Sequence, residues 1–233
     1  MAIALIVAAG RGERLGTSGP KAFVSVAGRP MIAWSIDAFR ASGSVREIVV
    51  ALPPGWEPSE SEAAELDGCI RCEGGKDRSL SVRAALEAAS AGEADEPVLV
   101  HDAARALVEP HLIEELVLAV APGSGCQAAI AACPVTDTIK VADEGGFVLS
   151  TPERSTLKSV QTPQAFSRNV LKRALAQDDG VLSAATDDAA LVAQLGIKVL
   201  LVDAPTENFK VTEPKDLELA NLILSRRTAG GSI

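Results

Sequence analysis

Aromatic side chains are scarce in this chain, whose 233 residues include five Phe, two Trp and no Tyr. Little surface is therefore available for stacking on nucleic-acid bases. Positive charge is also in deficit, because 22 Lys and Arg face 31 Asp and Glu and the net charge is −9. Both shortages disfavour a nucleic-acid partner, and we expect none.

Long apolar runs are missing as well. None approaches the roughly 20 residues that span a bilayer, and the start Met-Ala-Ile-Ala lacks the basic residues of a signal peptide. We therefore expect no membrane association and a cytoplasmic location. Cysteine is sparse, and Cys69 and Cys72 form a C-x-x-C pair with no second pair or His pair to complete a zinc site. Free thiols are the expected state of these residues and of Cys126 and Cys133.

The most informative stretch is the first strand and the loop that follows it. Residues 2–8 form an unbroken apolar run, which is typical of a fully buried parallel strand. The loop 9–21 contains Gly at positions 10, 12, 16 and 19 and the cations Arg11, Arg14 and Lys21. Glycine lets backbone N–H groups approach a bulky ligand, and cations at the end of a strand favour phosphate. The loop is predicted to hold several phosphates.

Two familiar phosphate-binding motifs are excluded by spacing. A dinucleotide fingerprint needs a third glycine at position 15, which is Leu, and no Gly-Lys-Ser/Thr follows for a P-loop. An ordinary flexible loop between a strand and a helix is the simpler alternative. The combination of Gly10 and Gly12 with Arg14, Pro20 and Lys21 instead resembles the opening loop of nucleotidyltransferases that act on phosphorylated small molecules.

Strands and helices are predicted to alternate through most of the chain. Predicted strands cover 2–8, 47–52, 69–73, 98–100, 126–132 and 197–202. Predicted helices cover 31–39, 57–66, 80–91, 110–120, 167–178, 187–195 and 213–226. This alternation predicts an α/β fold with a mostly parallel sheet covered on both faces, in a single domain over 1–233. The loops 9–21, 74–78 and 101–105 each follow a strand, so they are expected to meet at one edge of the sheet.

The alternation is interrupted between about 134 and 160. Residues 135–141, a turn at 143–146 and residues 147–149 predict a β-hairpin that no helix covers. We expect a projecting β-arm that forms a homodimer by burial against a second subunit. A hairpin folded back on its own sheet is the alternative.

Several further motifs occur along the chain: Gly74-Gly75 with Arg78, His101-Asp-Ala-Ala-Arg105, Pro134-Val-x-Asp-Thr-x-Lys140, Gln161-Thr-Pro-Gln164, Thr186-Asp-Asp-Ala189 and Asn208-Phe-Lys-Val-Thr212. With the opening loop, they resemble one family, the 2-C-methyl-D-erythritol 4-phosphate cytidylyltransferases, over nearly the whole chain. Two positions depart from the family pattern: Ala106 stands where Pro is usual, which loosens the loop, and Lys76 stands where an acidic residue is common. The resemblance implies a Rossmann-like three-layer nucleotidyltransferase fold.

The resemblance also implies the reaction and the residues that perform it. CMP would pass from CTP to the phosphate of methylerythritol phosphate, with Arg14 and Lys21 as catalytic cations. CTP would be bound by Ala8, Ala9, Gly10, Arg11, Gly12, Gly75, Ser81, Asp102 and Lys210. The second substrate would be bound by Asp102, Ala103, Arg105, Thr138, Arg154, Thr162, Thr186 and Lys210, with Thr138 and Arg154 reaching the neighbouring subunit from the arm. Mg²⁺ would bridge the CTP phosphates without a protein-only metal site, and Asp102 is its possible contact.

Two other functions remain open at this point. A related transferase could move CMP onto ribitol 5-phosphate or another polyol phosphate through the same loop. A CTP-binding regulatory module without turnover is disfavoured, because such a module would not need Arg14, Lys21 and Lys210. The acids Asp187 and Asp188 also fit the start of a helix, where the dipole favours negative charge. His101 is expected to contribute hydrogen bonds rather than catalysis.

Overall fold

The computed structural model of the chain describes residues 1–10, 12, 15 and 19–229. Its strands, numbered in chain order, are β1 (Ala2–Val7), β2 (Ser25–Val26), β3 (Arg29–Pro30), β4 (Val45–Leu52), β5 (Ile70–Glu73), β6 (Pro97–Asp102), β7 (Ala128–Pro134), β8 (Val141–Ala142), β9 (Val148–Ser150), β10 (Lys158–Ser167) and β11 (Leu200–Asp203). Its helices are α1 (Met31–Ala41), α2 (Glu60–Glu65), α3 (Arg78–Ala88), α4 (Pro110–Ala119), α5 (Arg168–Leu175), α6 (Asp179–Ala184), α7 (Asp188–Gln194) and α8 (Pro214–Ala229).

Seven of these strands form one sheet in the order β11-β7-β10-β6-β1-β4-β5. Within it, β10 is antiparallel to both of its neighbours, and every other neighbouring pair is parallel. The predicted mostly parallel sheet is confirmed. Because β4 and β5 lie on one side of β1 and β6 lies on the other, the chain changes direction across the sheet at β1. Ligands in open α/β sheets bind outside the carboxyl ends of the strands at such a point.

The alternation of side chains along β1 produces two apolar layers. Ile3 and Leu5 pack with α3, α5 and α7 on one face of the sheet. Ala4 and Ile6 pack with α1 and α4 on the opposite face. Successive residues of a strand point to opposite faces, so an apolar run without alternation requires cover on both. Full burial of a Leu or Ile side chain stabilises the folded protein by about 1.5–3 kcal/mol. The predicted three-layer fold is confirmed.

A third apolar cluster lies beside the carboxyl edge of the sheet. Ala220 and Leu224 of α8 pack with Met31, Leu107 and Val211. This packing holds the last part of the chain, including residues 208–212, against the loop that follows β6.

The main error of the sequence-based assignment is the strand β10. No strand was expected at 158–167, and the helix expected from 167 begins at Arg168. Pro163 lies in the middle of this strand, where the pairing with β7 is irregular between Val160 and Gln164. A proline usually argues against a central strand because it cannot donate to the ladder. The short helix α6, which contains Gly180, was also missed.

The hairpin of β8 and β9 is confirmed, although it is shorter than expected. Residues 135–140 are not a strand; instead β7 extends to Pro134. The two short strands pair with each other in a separate sheet. Their side chains are exposed, as are the neighbouring large apolar side chains of Phe147 and Leu149. The remaining predicted elements differ from the observed ones by a few residues at their ends.

Candidate active site

A cleft of about 970 Å³ lies at the carboxyl edge of the sheet, where β1 and β6 end. Its size is within the range of small-molecule sites, about 300–1,000 Å³. Ten of the residues predicted to bind or act on substrates line it together: Ala8, Ala9, Gly10, Gly12, Lys21, Gly75, Ser81, Asp102, Ala103 and Lys210. The lining also includes residues without a predicted role: Val7, Ala22, Pro53, Pro54, Lys76, Asp77, Arg78, Ala104 and Thr212.

Other predicted site residues do not line this cleft. Arg11 and the predicted catalytic Arg14 lie outside the described residues. Arg105 and Thr162 contact Asp102 of the lining, because the amide of Arg105 donates to the carbonyl oxygen of Asp102 and Thr162 Oγ1 accepts from the Asp102 amide. Thr186 is exposed in the segment between α6 and α7. Thr138 and Arg154 lie in the exposed part of the chain that includes the β-arm.

The loop 9–21, which is predicted to hold phosphates, returns to the end of β1 at Lys21. The amide of Lys21 donates to the carbonyl oxygen of Gly10 over 3.1 Å. Gly12 has a φ of +70°, and a Cβ at this position would fall 2.7 Å from Lys21 Cβ. Only glycine permits both this backbone conformation and this approach. The position of Lys21 at the cleft therefore depends on glycine at position 12.

The loop after β5 closes against the first loop. Ser81 Oγ accepts from the amide of Gly75 over 3.1 Å and lies 3.0 Å from the carbonyl oxygen of Asp77, to which it can donate. A Cβ at Gly74 would lie 2.7 Å from Ala9 Cβ, so the two loops touch at positions where a larger side chain would separate them. The wall that results consists of backbone and small side chains, which admits a flat ring system.

Asp102 is the charged centre of the cleft. Its Oδ2 lies 2.7 Å from Lys210 Nζ and its Oδ1 lies 2.9 Å from Arg78 Nε, although its side chain is largely buried. Burial alone would raise the pKa of Asp102, but the charges of Arg78 and Lys210 hold this pKa well below its usual range. The carboxylate is therefore ionised and its two oxygens both accept from cations.

Arg78 connects Asp102 to a second carboxylate that has no predicted role. Its Nη1 lies 2.6 Å from Asp188 Oδ2, and Asp188 is fully buried at the start of α7. Burial alone would lower the pKa of Arg78, but the charges of Asp188 and Asp102 raise it above its usual range. Arg78 belongs to the Gly74-Gly75 motif of the sequence, but no function was predicted for it. Arg78 and Asp188 are 110 positions apart in the sequence, so no local pattern signals their contact.

The amide of Asp102 is held by Thr162, which was predicted to bind substrate. Thr162 Oγ1 accepts from this amide over 3.0 Å and lies 3.1 Å from His101 Nδ1, while His101 Nε2 lies 3.3 Å from Ser35 Oγ. Donation from Thr162 to Nδ1 and from Nε2–H to Ser35 satisfies each of these atoms. Burial lowers the pKa of His101 to about 3, so this imidazole is neutral. It contributes hydrogen bonds, in agreement with its expected role.

Arg105 supports the cleft through the backbone of the segment 208–212. Its Nη1 donates to the carbonyl oxygen of Asn208 over 2.8 Å. The Asn208 side chain is buried and donates to Gln161 Oε1 and to the carbonyl oxygen of Thr162. Ala106, which was expected to loosen this loop, is buried with Leu107 in the third apolar cluster. These contacts place Lys210 opposite Asp102.

Metal ligands are few in the cleft. Among the described residues, no group of three or more His, Cys, Asp or Glu side chains is placed to hold a metal ion. Asp102 and Asp77 are the carboxylates of its lining. Asp77 Oδ2 accepts from Ser183 Oγ, and both oxygens of Asp102 already accept from cations. Such a donor set suits a divalent ion that is held mainly by a substrate's phosphates.

Two further features bear on the sequence-based expectations. All four cysteines are free thiols. Within the part of the chain that the structure describes, no helix has the length and apolar character needed to cross a membrane.

Comparison with known proteins gives concordant matches over nearly the whole chain. A family model described as 2-C-methyl-D-erythritol 4-phosphate cytidylyltransferase matches residues 2–226. The curated protein of that name from Nocardia farcinica is 44% identical over 229 residues, which cover 97% of this chain and 95% of the relative. The one from Rhodococcus jostii is 46% identical over 223 residues, which cover 95% and 94%.

Solved structures agree with these matches. The crystal structure of 2-C-methyl-D-erythritol 4-phosphate cytidylyltransferase from Thermus thermophilus has a TM-score of 0.77 at 37% identity and covers 97% of this chain and 100% of that one. The 4-diphosphocytidyl-2C-methyl-D-erythritol synthase from Anaerococcus prevotii has a TM-score of 0.80 at 28% identity and covers 97% and 99%.

Proposed function

The chain belongs to the 2-C-methyl-D-erythritol 4-phosphate cytidylyltransferase family, and on this premise we propose that it transfers CMP from CTP to 2-C-methyl-D-erythritol 4-phosphate. A phosphate oxygen of the methylerythritol phosphate attacks the α-phosphorus of CTP, and the bond to the β-phosphate breaks to release pyrophosphate. The observation that carries this proposal is the cleft in which Lys21, Asp102 and Lys210 converge at the end of β1 and β6.

The chemistry requires charge stabilisation rather than a base. The attacking phosphate oxygen is already ionised, so the difficulty is to bring two anions together and to stabilise the charge that builds on the α-phosphate and pyrophosphate. Lys21 is suited to this task because its backbone is tied to the phosphate-type loop. We assign it, together with Arg14, as the catalytic pair. The neutral His101, which is buried behind the cleft, fits a mechanism that needs no charged histidine.

CTP is proposed to lie along the wall formed by the loops after β1 and β5. Ala8, Ala9, Gly10, Gly75 and Ser81 would face the cytidine and its ribose, and the backbone N–H groups of the loop over 9–12 would lie along the triphosphate. Where Gly74 approaches Ala9 the wall consists of backbone and small side chains, and we propose that the flat cytosine ring lies against it. Asp102 and Lys210, which form an ion pair in the cleft, are proposed to lie between the two substrates.

The second substrate is proposed to enter beside Asp102, Ala103 and Lys210. Arg105 and Thr162 are nearby, but in this conformation they hold Asn208 and the Asp102 amide. We therefore propose that Arg105 and Thr162 contribute to substrate binding indirectly, by positioning the residues that they hold. Thr186 is exposed and is assigned to the substrate side on family membership alone.

Magnesium is the proposed metal. Its function would be to neutralise the triphosphate and to orient it for attack. Both oxygens of Asp102 accept from cations, so we propose that phosphates and water provide most of the Mg²⁺ ligands and that Asp102 contributes at most one contact. Lys21 and Lys210 would share the remaining negative charge.

A homodimer through the β-arm is proposed to complete the site. Phe147, Val148 and Leu149 are exposed apolar side chains on a hairpin that pairs with no strand of the main sheet. Exposed apolar surface of this kind is typical of a subunit interface. Thr138 and Arg154 lie outside this chain's own cleft and would act in that of the partner. We further propose one domain over 1–233, which is supported by the seven-stranded sheet that contains both β1 and β11, and a cytoplasmic setting, which the free thiols support.

The test is pyrophosphate release with CTP and Mg²⁺, with methylerythritol phosphate and ribitol 5-phosphate as parallel acceptors. We expect release with the first acceptor and its loss in Lys21→Ala. The matched control is Lys215→Ala, because Lys215 is an exposed lysine paired with Glu213 and distant in sequence from the loop. Release with ribitol 5-phosphate alone would contradict the proposed acceptor, and CTP binding without release would favour a regulatory module.

A further inference from the structure

Asp188 is a fully buried carboxylate that the proposed mechanism does not use. It is the first residue of α7, but it does not cap that helix, because the neighbouring Asp187 accepts from the amide of Ala190 over 2.8 Å. Its Oδ1 accepts no hydrogen bond from the described residues. Burial of a carboxylate with one oxygen unsatisfied is costly. Helix formation and stability therefore give a poor account of this residue.

The partner of Asp188 is the guanidinium that faces the cleft. Arg78 lies at the start of α3, directly after the loop that holds Gly75, and it lines the cleft. Its Nη1 is 2.6 Å from Asp188 Oδ2, and its Nε is 2.9 Å from Asp102 Oδ1. A planar guanidinium fixes the directions of its N–H groups relative to one another. The contact with Asp188 therefore sets the direction in which Nε–H points.

The contacts that begin at Asp188 and Arg78 extend through Asp102 into the cleft. Nε–H of Arg78 engages one oxygen of Asp102, which leaves the other oxygen directed to Lys210 Nζ at 2.7 Å. We propose that Asp188 is a positioning residue, which orients Arg78 and through it the carboxylate of Asp102 that separates the two substrates. Asp188 itself touches neither substrate, and the inference rests on the proposed function of the cleft.

The charges around Arg78 support the same positioning role for Asp188 as the geometry does. Arg78 lies between two carboxylates, so its positive charge is shared by Asp102 and Asp188 rather than presented alone to the cleft. Without Asp188, the guanidinium would have one carboxylate left and would be free to turn its Nη groups toward the phosphates or toward Asp102. Either movement removes the Nε contact and changes the place of Asp102. Turnover would fall although α7 and the rest of the site remain.

The experiment is a double-mutant cycle on kcat/KM with CTP and methylerythritol phosphate. Asp188→Asn preserves the shape of the side chain but removes its charge, and we expect it to lower kcat/KM by roughly tenfold, because a neutral amide oxygen holds a guanidinium more weakly than a carboxylate does. In an Arg78→Met background the same substitution should change kcat/KM by less than about twofold, because nothing remains for Asp188 to orient. An equal loss in both backgrounds, or no loss in the first, would overturn the inference.

Controls separate positioning from stability. Asp179→Asn removes an exposed carboxylate on α6 that pairs with Arg83, and it should leave kcat/KM unchanged. If Asp188→Asn does not fold, Arg78→Lys decides, because Lys keeps the charge but its single ammonium cannot reproduce the fork that joins both carboxylates. We expect a fall in kcat/KM in this variant, and activity equal to wild type would overturn the inference.

A spectroscopic measurement distinguishes this inference from the proposed function. The Nε–H resonance of Arg78 in ¹⁵N-labelled protein should be protected from exchange in wild type and lose that protection in Asp188→Asn. This readout requires no turnover, so it remains decisive if the wild-type protein releases no pyrophosphate, a result that would count against the proposed function alone. Unchanged protection in Asp188→Asn would show that Asp188 does not orient Arg78.

Discussion

Gly12 lies against the stem of Lys21, so closely that a Cβ at position 12 would fall 2.7 Å from Lys21 Cβ. The φ of Gly12 is also positive, at +70°. The place of this cation in the cleft thus depends on the absence of a single methyl group.

Gly12→Ala should displace Lys21 and lower kcat. A displacement of about 1 Å in a catalytic group can cost on the order of a hundredfold in rate, so we expect kcat to fall by roughly ten- to a hundredfold in a pyrophosphate-release assay. Gly19→Ala is the matched control, because Gly19 also has a positive φ but has open space around its Cβ position. Equal losses in the two variants would show that backbone strain, not contact with Lys21, is responsible.

Lys210→Met should lower kcat/KM and raise the pKa of Asp102. Lys210 is one of the two cations that hold this pKa low, and it lies 2.7 Å from the carboxylate. A hydrogen bond to a charged group contributes about 1.5–3 kcal/mol, which corresponds to roughly ten- to a hundredfold in rate. Steady-state kinetics with both substrates measures the effect, and the exposed Lys198→Met should behave as wild type. Wild-type kinetics in Lys210→Met would remove Lys210 from the site.

The stability of the protein should fall as the pH drops from about 6.5 toward 5, in part because of His101. Burial lowers the pKa of His101 to about 3, whereas an unfolded histidine titrates near 6.5. Between these values the unfolded chain binds more protons than the folded one, so the free energy of unfolding decreases with decreasing pH. The slope from this group approaches about 1.4 kcal/mol per pH unit.

Urea unfolding at several pH values measures this slope. The variant His101→Gln, which keeps hydrogen-bonding capacity without a titrating group, should have a shallower dependence between pH 6.5 and 5. A slope that is the same in both proteins would contradict a buried neutral histidine.

Replacement of the arm's apolar side chains should separate the proposed dimer. Phe147→Ser with Leu149→Ser removes two side chains that are 75% and 65% exposed in the single chain. We expect light scattering to give the mass of one chain and pyrophosphate release to fall steeply, because Thr138 and Arg154 would no longer reach a partner. Leu118→Ser on α4, at a comparably exposed position, should change neither mass nor turnover. A double variant that remains dimeric would contradict the proposed interface.

The strands that the sequence predicts well are those whose environment is uniform. In β1 every residue is apolar, and in β6 the first four residues are apolar, because both faces of the sheet are covered. The strand β10 escaped prediction because its buried residues include Gln161, Thr162 and Gln164, whose polar groups find partners far away in the chain. No local pattern distinguishes such a strand from a loop.

The residues of the candidate site also differ in whether a local sequence pattern predicts them. Lys21 and the glycines around it form a contiguous motif, so spacing alone indicated a phosphate-type loop. The contact between Arg78 and Asp188 depends on the packing of α7 against the sheet, and Asp188 in sequence resembles an ordinary acid at the start of a helix. Residues that act through long-range contacts are visible only after the fold is known.

The continuity of β10 determines where this protein can vary in length. The strand begins shortly after the arm, and Thr162 in its middle holds the amide of Asp102. Side chains alternate along a strand, so an insertion or deletion of one residue here would turn the rest of it over and remove Thr162 from Asp102. The turn at the tip of the arm, at residues 143–146, has no such tie. Natural or engineered changes in arm length are therefore expected at this turn rather than within β10.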